Sequence, residues 1–521
     1  MLKQSLLWVG IGTALAQGLS SAAHAQPLNV LMIAVDDLKP LLGCYEDRFA
    51  RTPEIDRLGA RGTVFLNGHC QQAVCGPTRA SLMTGKRPDA TQVWDLKTRM
   101  RDIHPDILTL PQHFKANGYE AVGIGKTYDP RCVDSDENMD APSWSRPYVK
   151  TPYNPNEEFG LINPDTVAAI RARKEEARAA GIKGWNKIRD FIGGTPATEG
   201  TEDVPDEAYE DGEIAAASVG LIKELSAGDK PFFLAVGFKK PHLPFIAPKK
   251  YWNLYDRSAV PLAAYQQMPE GAPGYHFQDS WELKNGSYSG MVKEGLQPES
   301  VQRELVHGYY ACVSYVDAQV GKLMRALEEA GVADRTVIVL WGDHGWHLGD
   351  HGMWCKHTNY EQATRVPLVV YSPRLPGGGR STSPVEFVDV FPTLCELAGL
   401  PIPEHLDGVS LAPVMKNPSA SVKAVAISQF PRNIGDQQEA MGYAFRDTRY
   451  RYIEWVKMNY RKGERDGAVI ARELYDYEKD PLETRNLADD PAYAETLAAM
   501  TGKAVTVNRS GQPVAAAAEA N

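Results

Sequence analysis

The sequence predicts an α/β fold: a central, mostly parallel sheet followed by a smaller antiparallel-sheet subdomain. Three observations carry that expectation. Continuous apolar runs end in acidic or polar residues, helical patterns lie between those runs, and after about Pro413 short strands joined by turns take over. An apolar fraction of 43% and a charged fraction of 23% are those of a globular chain. At 521 residues, two domains are the natural expectation.

The elements follow in chain order. Lys3, the apolar stretch 6–19 and the Ala23-His24-Ala25 cleavage pattern read as a signal peptide over residues 1–25. That stretch is too short and glycine-rich for a membrane span, and no later segment qualifies. An exported, periplasmic protein is therefore expected. The runs 29–35, 231–238, 336–341 and 366–371 fit strands covered on both faces. Asp36-Asp37, Lys240-Pro241-His242 and Gly342-Asp343-His344 follow the first three runs. In 303–327, Leu305, Tyr309, Cys312, Val316, Val320, Leu323 and Leu327 step by three or four, which predicts a helix with a buried stripe. Alternating strands and helices place ligands beyond the carboxyl ends of strands. These elements define a catalytic domain over 27–413. A C-terminal α+β subdomain spans 414–509, with strands expected at 424–429, 442–445, 450–456 and 473–476, and 510–521 is a frayed tail.

Two long irregular stretches, 131–163 and 261–298, follow strand ends that carry candidate residues, and are read as pocket walls. The charged helix pattern at 166–180 between them reads as a solvated face. A net charge of −10 argues against nucleic acid as a partner. An anionic substrate then needs a local basic pocket. Of seven cysteines, six remain if Cys75 is modified, without metal-type spacing. Export permits disulfides, but the sequence does not assign them. Cys312 falls in the helical stripe and reads as a buried thiol.

Asp36, Asp37 and Asp343 would repel one another at one point unless a cation lay among them, and hard oxygen donors suit Ca²⁺ or Mg²⁺. The plainer alternative is that Asp36 or Asp37 caps the following turn. His344, His347 and His351 raise a zinc alternative, opposed by the interleaved Gly342, Gly345, Gly349 and Gly352.

The string VCGPTRASLMTGKRP, containing Cys75-Gly76-Pro77-Thr78-Arg79, resembles the signature of the type I sulfatases. The strings at 231–255 and 341–371 and the QQAV before Cys75 are similar to the iduronate-2-sulfatase branch, and ELYDYEKDPLETRNL resembles the sulfatase C-terminal end. The resemblance implies an alkaline-phosphatase-like sandwich. It implies that a formylglycine-generating enzyme converts Cys75 to Cα-formylglycine. It also implies one Ca²⁺ held by Asp36, Asp37, residue 75, Asp343 and His344. Arg79 would stabilise the formylglycine hydrate, Lys126 would bind sulfate, and His242 and Lys356 would contact sulfate and the ester oxygen.

The chemistry explains why such a nucleophile is needed. A serine would form a stable sulfate ester and stall. A hydrated aldehyde attacks with one hydroxyl, and deprotonating the other expels sulfate by carbon–oxygen cleavage. One departure concerns the substrate. The family usually has a histidine three residues after the lysine, where this chain has Asp129. When ionised, Asp129 would repel sulfate and would instead contact the metal shell or a neighbouring lysine, or accept a substrate hydroxyl. The expected substrate is a sulfated saccharide, with the 2-O-sulfate of a uronic acid preferred. Trp346, His347 and the two long loops are the material for its second anion contact. The alternatives are a phosphomonoester or phosphonate hydrolase on the same scaffold, and a non-catalytic sulfated-glycan binding protein.

Overall fold

A computed structural model describes residues 27–152, 160–435, 438–462 and 467–506. The expected signal peptide (1–25) and tail (510–521) lie outside the described residues. The main sheet has seven strands: β1 (Asn29–Val35), β2 (Thr63–Phe65), β3 (Glu120–Gly125), β4 (Phe232–Phe238), β5 (Thr336–Gly342), β6 (Leu368–Tyr371) and β7 (Gly379–Ser381). Their spatial order is β7-β2-β6-β5-β1-β4-β3. The pairs β1–β4, β1–β5, β3–β4 and β2–β7 are parallel.

The apolar runs are continuous because both faces of the sheet are covered. Leu31, Ile33 and Val35 pack on one side with α1 (Pro53–Arg61), α4 (Glu210–Ser226) and α6 (Glu299–Glu329). Val30, Met32 and Ala34 pack on the other with α2 (Cys75–Thr84) and α7 (Val390–Ala398). Side chains alternate along a strand, so each run supplies two cores at once. The stripe predicted at 303–327, Cys312 included, lies buried in α6. The charged pattern becomes α3 (Pro164–Ala179), of which only Ile170 and Ala177 are buried. One strand departs from the parallel expectation: β6 runs antiparallel to both β5 and β2. A parallel neighbour needs a crossover back past the sheet, but residues 343–367 stay at the carboxyl end of β5, so the chain returns in the opposite direction.

Beyond it, β8 (Ala426–Asn433), β9 (Glu439–Arg446), β10 (Tyr450–Lys457) and β11 (Val469–Asp476) form an antiparallel sheet in sequential order. One of its faces packs on the main domain through Tyr360, Met353, Ala444 and Trp455.

Candidate active site

The carboxyl ends of β1, β3, β4 and β5 present Asp36 and Asp37, Lys126, His242, and Asp343 and His344. The ends of β3 and β4 approach unusually closely. Gly125 has φ +75°, and a Cβ there would lie 2.1 Å from the Gly237 carbonyl oxygen. Only glycine fits at that point, which lets the Lys126 N–H bond to Gly237 at 2.8 Å. Cys75 opens α2, all of whose residues are buried. From α6, the Tyr309 hydroxyl donates to the Asp37 carbonyl at 2.6 Å and fixes the end of β1.

The side chains of Asp36, Asp37, Cys75 and His344 converge, with potential ligand atoms within 4.8 Å of one another and all four residues buried. The Cys75 Sγ lies 3.4 Å from Asp36 Oδ1, 3.3 Å from His344 Nε2 and 3.6 Å from Lys126 Nζ. Asp343 abuts the group from behind. Its Oδ1 accepts the N–H groups of Asp37 (2.9 Å) and His344 (3.0 Å), and its Oδ2 accepts from Arg79 Nε (2.9 Å). Arg79 also reaches Asp36 at 3.2 Å. The donor set is two carboxylates, a sulfur at residue 75 and one imidazole nitrogen, backed by a third carboxylate, and this fits a divalent cation. The three-histidine arrangement does not form. His347 and His351 bond instead to Thr358 and to the Leu482 carbonyl, at 2.9 and 2.8 Å.

Cations surround the same point. Lys126 Nζ is 2.5 Å from Asp36, and Lys356 Nζ is 3.1 Å from Asp37. Burial opposes the charge on Asp36, but Lys126 and Arg79 overcome it and hold its carboxyl well below the usual range. Asp343 is pushed up, first by burial and then by Asp36 beside it. The Cys75 thiol is pushed well up by burial, with Asp36 adding to it, so it is held neutral. A neutral thiol is a poor nucleophile.

Glu282, on the short helix α5 (Trp281–Lys284), is a site residue that the sequence reading missed. It accepts from His242 Nε2 at 3.1 Å and Lys356 Nζ at 2.9 Å. Burial works against the charge on His242, yet Asp37 and Glu282 raise its pKa above the ordinary histidine value. Its Nδ1 meets the Leu243 carbonyl at 2.7 Å, so both ring nitrogens face acceptors and the imidazolium form is favoured. The 261–298 stretch signalled a wall, but nothing in its composition distinguished Glu282 from Glu270, Asp279 or Glu294.

Trp346 and His347 do not form a wall that a sugar can reach. Trp346 is 1% exposed and lies under Lys356, whose Nζ sits 4.7 Å from the ring centre. His347 is fully buried, and burial holds it neutral. Both belong to the floor because the turn after β5 folds inward toward Phe245 and Thr358. Asp129, by contrast, lines a cavity of about 510 Å³ with Lys126, Arg131, Lys240 and His242. Burial opposes its charge, but Arg131 and Lys126 bring its pKa down to about 2.

This arrangement of a buried, cation-ringed residue 75 on an α/β sheet matches a known class. The sulfatase family model matches residues 28–400, and the C-terminal model of N-sulphoglucosamine sulphohydrolase matches 349–510. Human iduronate 2-sulfatase is 33% identical over 94% of this chain and 96% of its own length. A structure solved with its substrate D-glucosamine-2-N,6-O-disulfate superposes with a TM-score of 0.69 at 20% identity, covering 92% of this chain and 96% of the other. A phosphonate monoester hydrolase from Silicibacter pomeroyi gives 0.68 at 21% identity over 93% and 96%. The chain belongs to the sulfatase family and has its alkaline-phosphatase-like fold. It is a sulfuric ester hydrolase.

Proposed function

We propose that this sulfatase removes the 2-O-sulfate of a uronic acid residue in a glycosaminoglycan-like or algal saccharide, using Cα-formylglycine at position 75. The observation that carries the reading is that Arg79, Lys126, His242 and Lys356 all contact the carboxylates flanking buried residue 75. As sulfur is attacked, charge grows on the sulfate oxygens and the leaving alkoxide, and fixed cations favour that state over the ground state. Lys126 binds a sulfate oxygen, while Lys356 and the protonated His242 face the ester oxygen. His242 gives its proton to the departing alkoxide. Arg79 is tied to Asp36 and Asp343, and holds the frame in which residue 75 sits. The hydrated aldehyde supplies the attacking hydroxyl and a second hydroxyl that releases sulfate.

Ca²⁺ is the expected ion, held by Asp36, Asp37, residue 75 and His344 with Asp343 as the remaining carboxylate. When bound, it supplies Lewis acidity toward sulfate and orients the nucleophile. The kinship to iduronate 2-sulfatase supports the uronate assignment. The Ala23-His24-Ala25 pattern supports export to a periplasm, with maturation by a formylglycine-generating enzyme. Among the described residues no helix is long and apolar enough to cross a membrane.

The test is a desulfation assay on 2-O-sulfated uronate disaccharides against 6-O-sulfated hexosamine and a sulfated phenol. Preference for either of the latter rejects the uronate. The fold is shared with a phosphonate monoester hydrolase, so phosphate and phosphonate esters belong in the same panel. Faster turnover of those would favour that second reading.

A further inference from the structure

A uronate 2-sulfate carries two anions on opposite sides of one six-membered ring, so its pocket needs a second cation beyond the sulfate site. The cavity beside Lys126 holds four further cations: Arg131, Lys150, Lys239 and Lys240. Three are engaged elsewhere. Lys240 Nζ donates to the carbonyls of His242 and Pro244 at 2.7 and 2.8 Å, and burial lowers its pKa. Lys239 is paired with Glu210 at 2.7 Å, and Lys150 with Asp136. Arg131 differs. Its Nε and Nη2 are gripped side-on by the two oxygens of Asp129, at 2.9 and 2.7 Å, and its Nη1 makes no hydrogen bond among the described residues. The Arg131 side chain is 54% exposed, whereas Asp129 is fully buried. Arg131 shares the lining of that cavity with Lys126 and His242, two of the cations of the sulfate site.

We infer that Asp129 and Arg131 form one device, a guanidinium locked by a buried carboxylate, whose free edge receives the uronate carboxylate. The inference rests on the proposed uronate 2-O-sulfate reading and names the second anion contact of that same site. It also resolves the anomaly of an acid beside the sulfate-binding lysine. The charge of Asp129 is spent on Arg131, so the pair presents a donor rather than a repelling anion. A guanidinium held at two of its nitrogens loses little freedom on binding, and its planar fork matches a carboxylate. Arg131 is then a specificity residue and Asp129 its positioning residue.

The test compares a 2-O-sulfated uronate disaccharide with the same disaccharide carboxyl-reduced to the hexose. Wild-type enzyme should prefer the uronate. Arg131→Ala should lower kcat/KM on the uronate about ten-fold, chiefly through KM, and change the reduced substrate less than about two-fold. Arg131→Lys should recover part of that loss. Asp129→Asn, which keeps the shape and loses the clamp charge, should raise KM on the uronate alone and lower the melting temperature at neutral pH, because the ionised carboxylate stabilises the fold. Equal losses on both substrates in Arg131→Ala would overturn the subsite, as would a wild-type enzyme indifferent to the carboxylate, while sulfate-ester turnover would leave the sulfatase reading standing. A wild-type enzyme that hydrolyses no sulfate ester would overturn both.

Discussion

Glu282 touches both His242 and Lys356, and with Asp37 it helps His242 keep its proton. Burial alone would strip that proton; Asp37 and Glu282 restore it and raise the pKa. Removing one of the two carboxylates should let the value fall. If His242 is the donor to the leaving group, activity is lost as pH rises through its pKa. Glu282→Gln should therefore move the alkaline limb of the kcat/KM profile toward acid. A limb that stays in place would show that His242 is not the acid. At residue 75, Cys75→Ser is nearly isosteric in a fully buried helix and should leave the fold intact. Without a second hydroxyl to release sulfate, the variant should give at most one product per enzyme and then stop. Normal steady-state turnover by the serine variant would reject the formylglycine mechanism, and peptide mass spectrometry of residue 75 provides an independent check.

The elements show how helix caps and strand ends carry charge. Asp317 in α6 accepts the backbone N–H groups of Ile55 and Glu54 at 2.7 and 3.3 Å, satisfying the start of α1. Burial pushes its pKa up from 3.8 to about 7, with Asp56 and Glu54 adding to the shift after the two backbone bonds hold it down. The folded state thus binds a proton that the unfolded state has released, so this stabilisation is present below about pH 4 and is lost as pH rises through about 7. Asp317→Asn keeps an acceptor for the cap without the charge. It should flatten the decline in melting temperature between pH 5 and pH 8, and an unchanged decline would reject the assignment. Gly125→Ala should cost more than about 2 kcal/mol, read by chemical denaturation, because φ +75° and the Gly237 carbonyl both exclude a Cβ. Much at this scale was legible in the sequence. Runs such as 29–35 stood out because both faces of the sheet are buried, and the three-and-four spacing of Leu305 to Leu327 is visible without a partner helix. The direction of β6 was not legible, because it is decided by where residues 343–367 travel rather than by Leu368–Tyr371 themselves. Trp346 and His347 have the polar handles of a binding wall, and only the inward fold of their turn shows that Trp346 lies beneath Lys356 and His347 against Thr358. Glu282 is brought in by a loop whose course no local pattern records.

At the scale of the whole molecule, the antiparallel sheet braces the loop that carries Lys356. Arg451, fully buried, donates to the Asn359 carbonyl at 2.7 Å and pairs with Glu361, and Asn359 donates to the Gly442 carbonyl at 3.0 Å. His276 from the 261–298 wall meets Glu473 at 2.8 Å. The wall, the Lys356 loop and the C-terminal sheet therefore share a single buried polar network, joined where the Asn359 N–H donates to His276 at 3.1 Å. Arg451→Ala would leave Glu361 with Arg446 alone and take the guanidinium from buried Glu483, and should destabilise by about 3 kcal/mol in denaturant unfolding. The same reasoning applies most strongly at the cation site. Asp36, Asp37 and Asp343 are all fully buried, and Arg79, Lys126 and Lys356 offset their charge. A divalent ion at residue 75 would relieve the carboxylates and free those side chains to face sulfate. An ion that binds only the folded state stabilises it by mass action, about 2.7 kcal/mol at a hundredfold excess over Kd. A chelator should therefore lower both the melting temperature and activity, and Ca²⁺ should restore both. In Asp36→Asn the melting temperature should no longer respond to chelator, which separates this site from adventitious surface binding. Stoichiometric zinc in the purified protein, with activity returned by zinc alone, would reject calcium. An unchanged melting temperature in wild-type protein stripped of all divalent ions would show that the cations alone balance the three buried carboxylates.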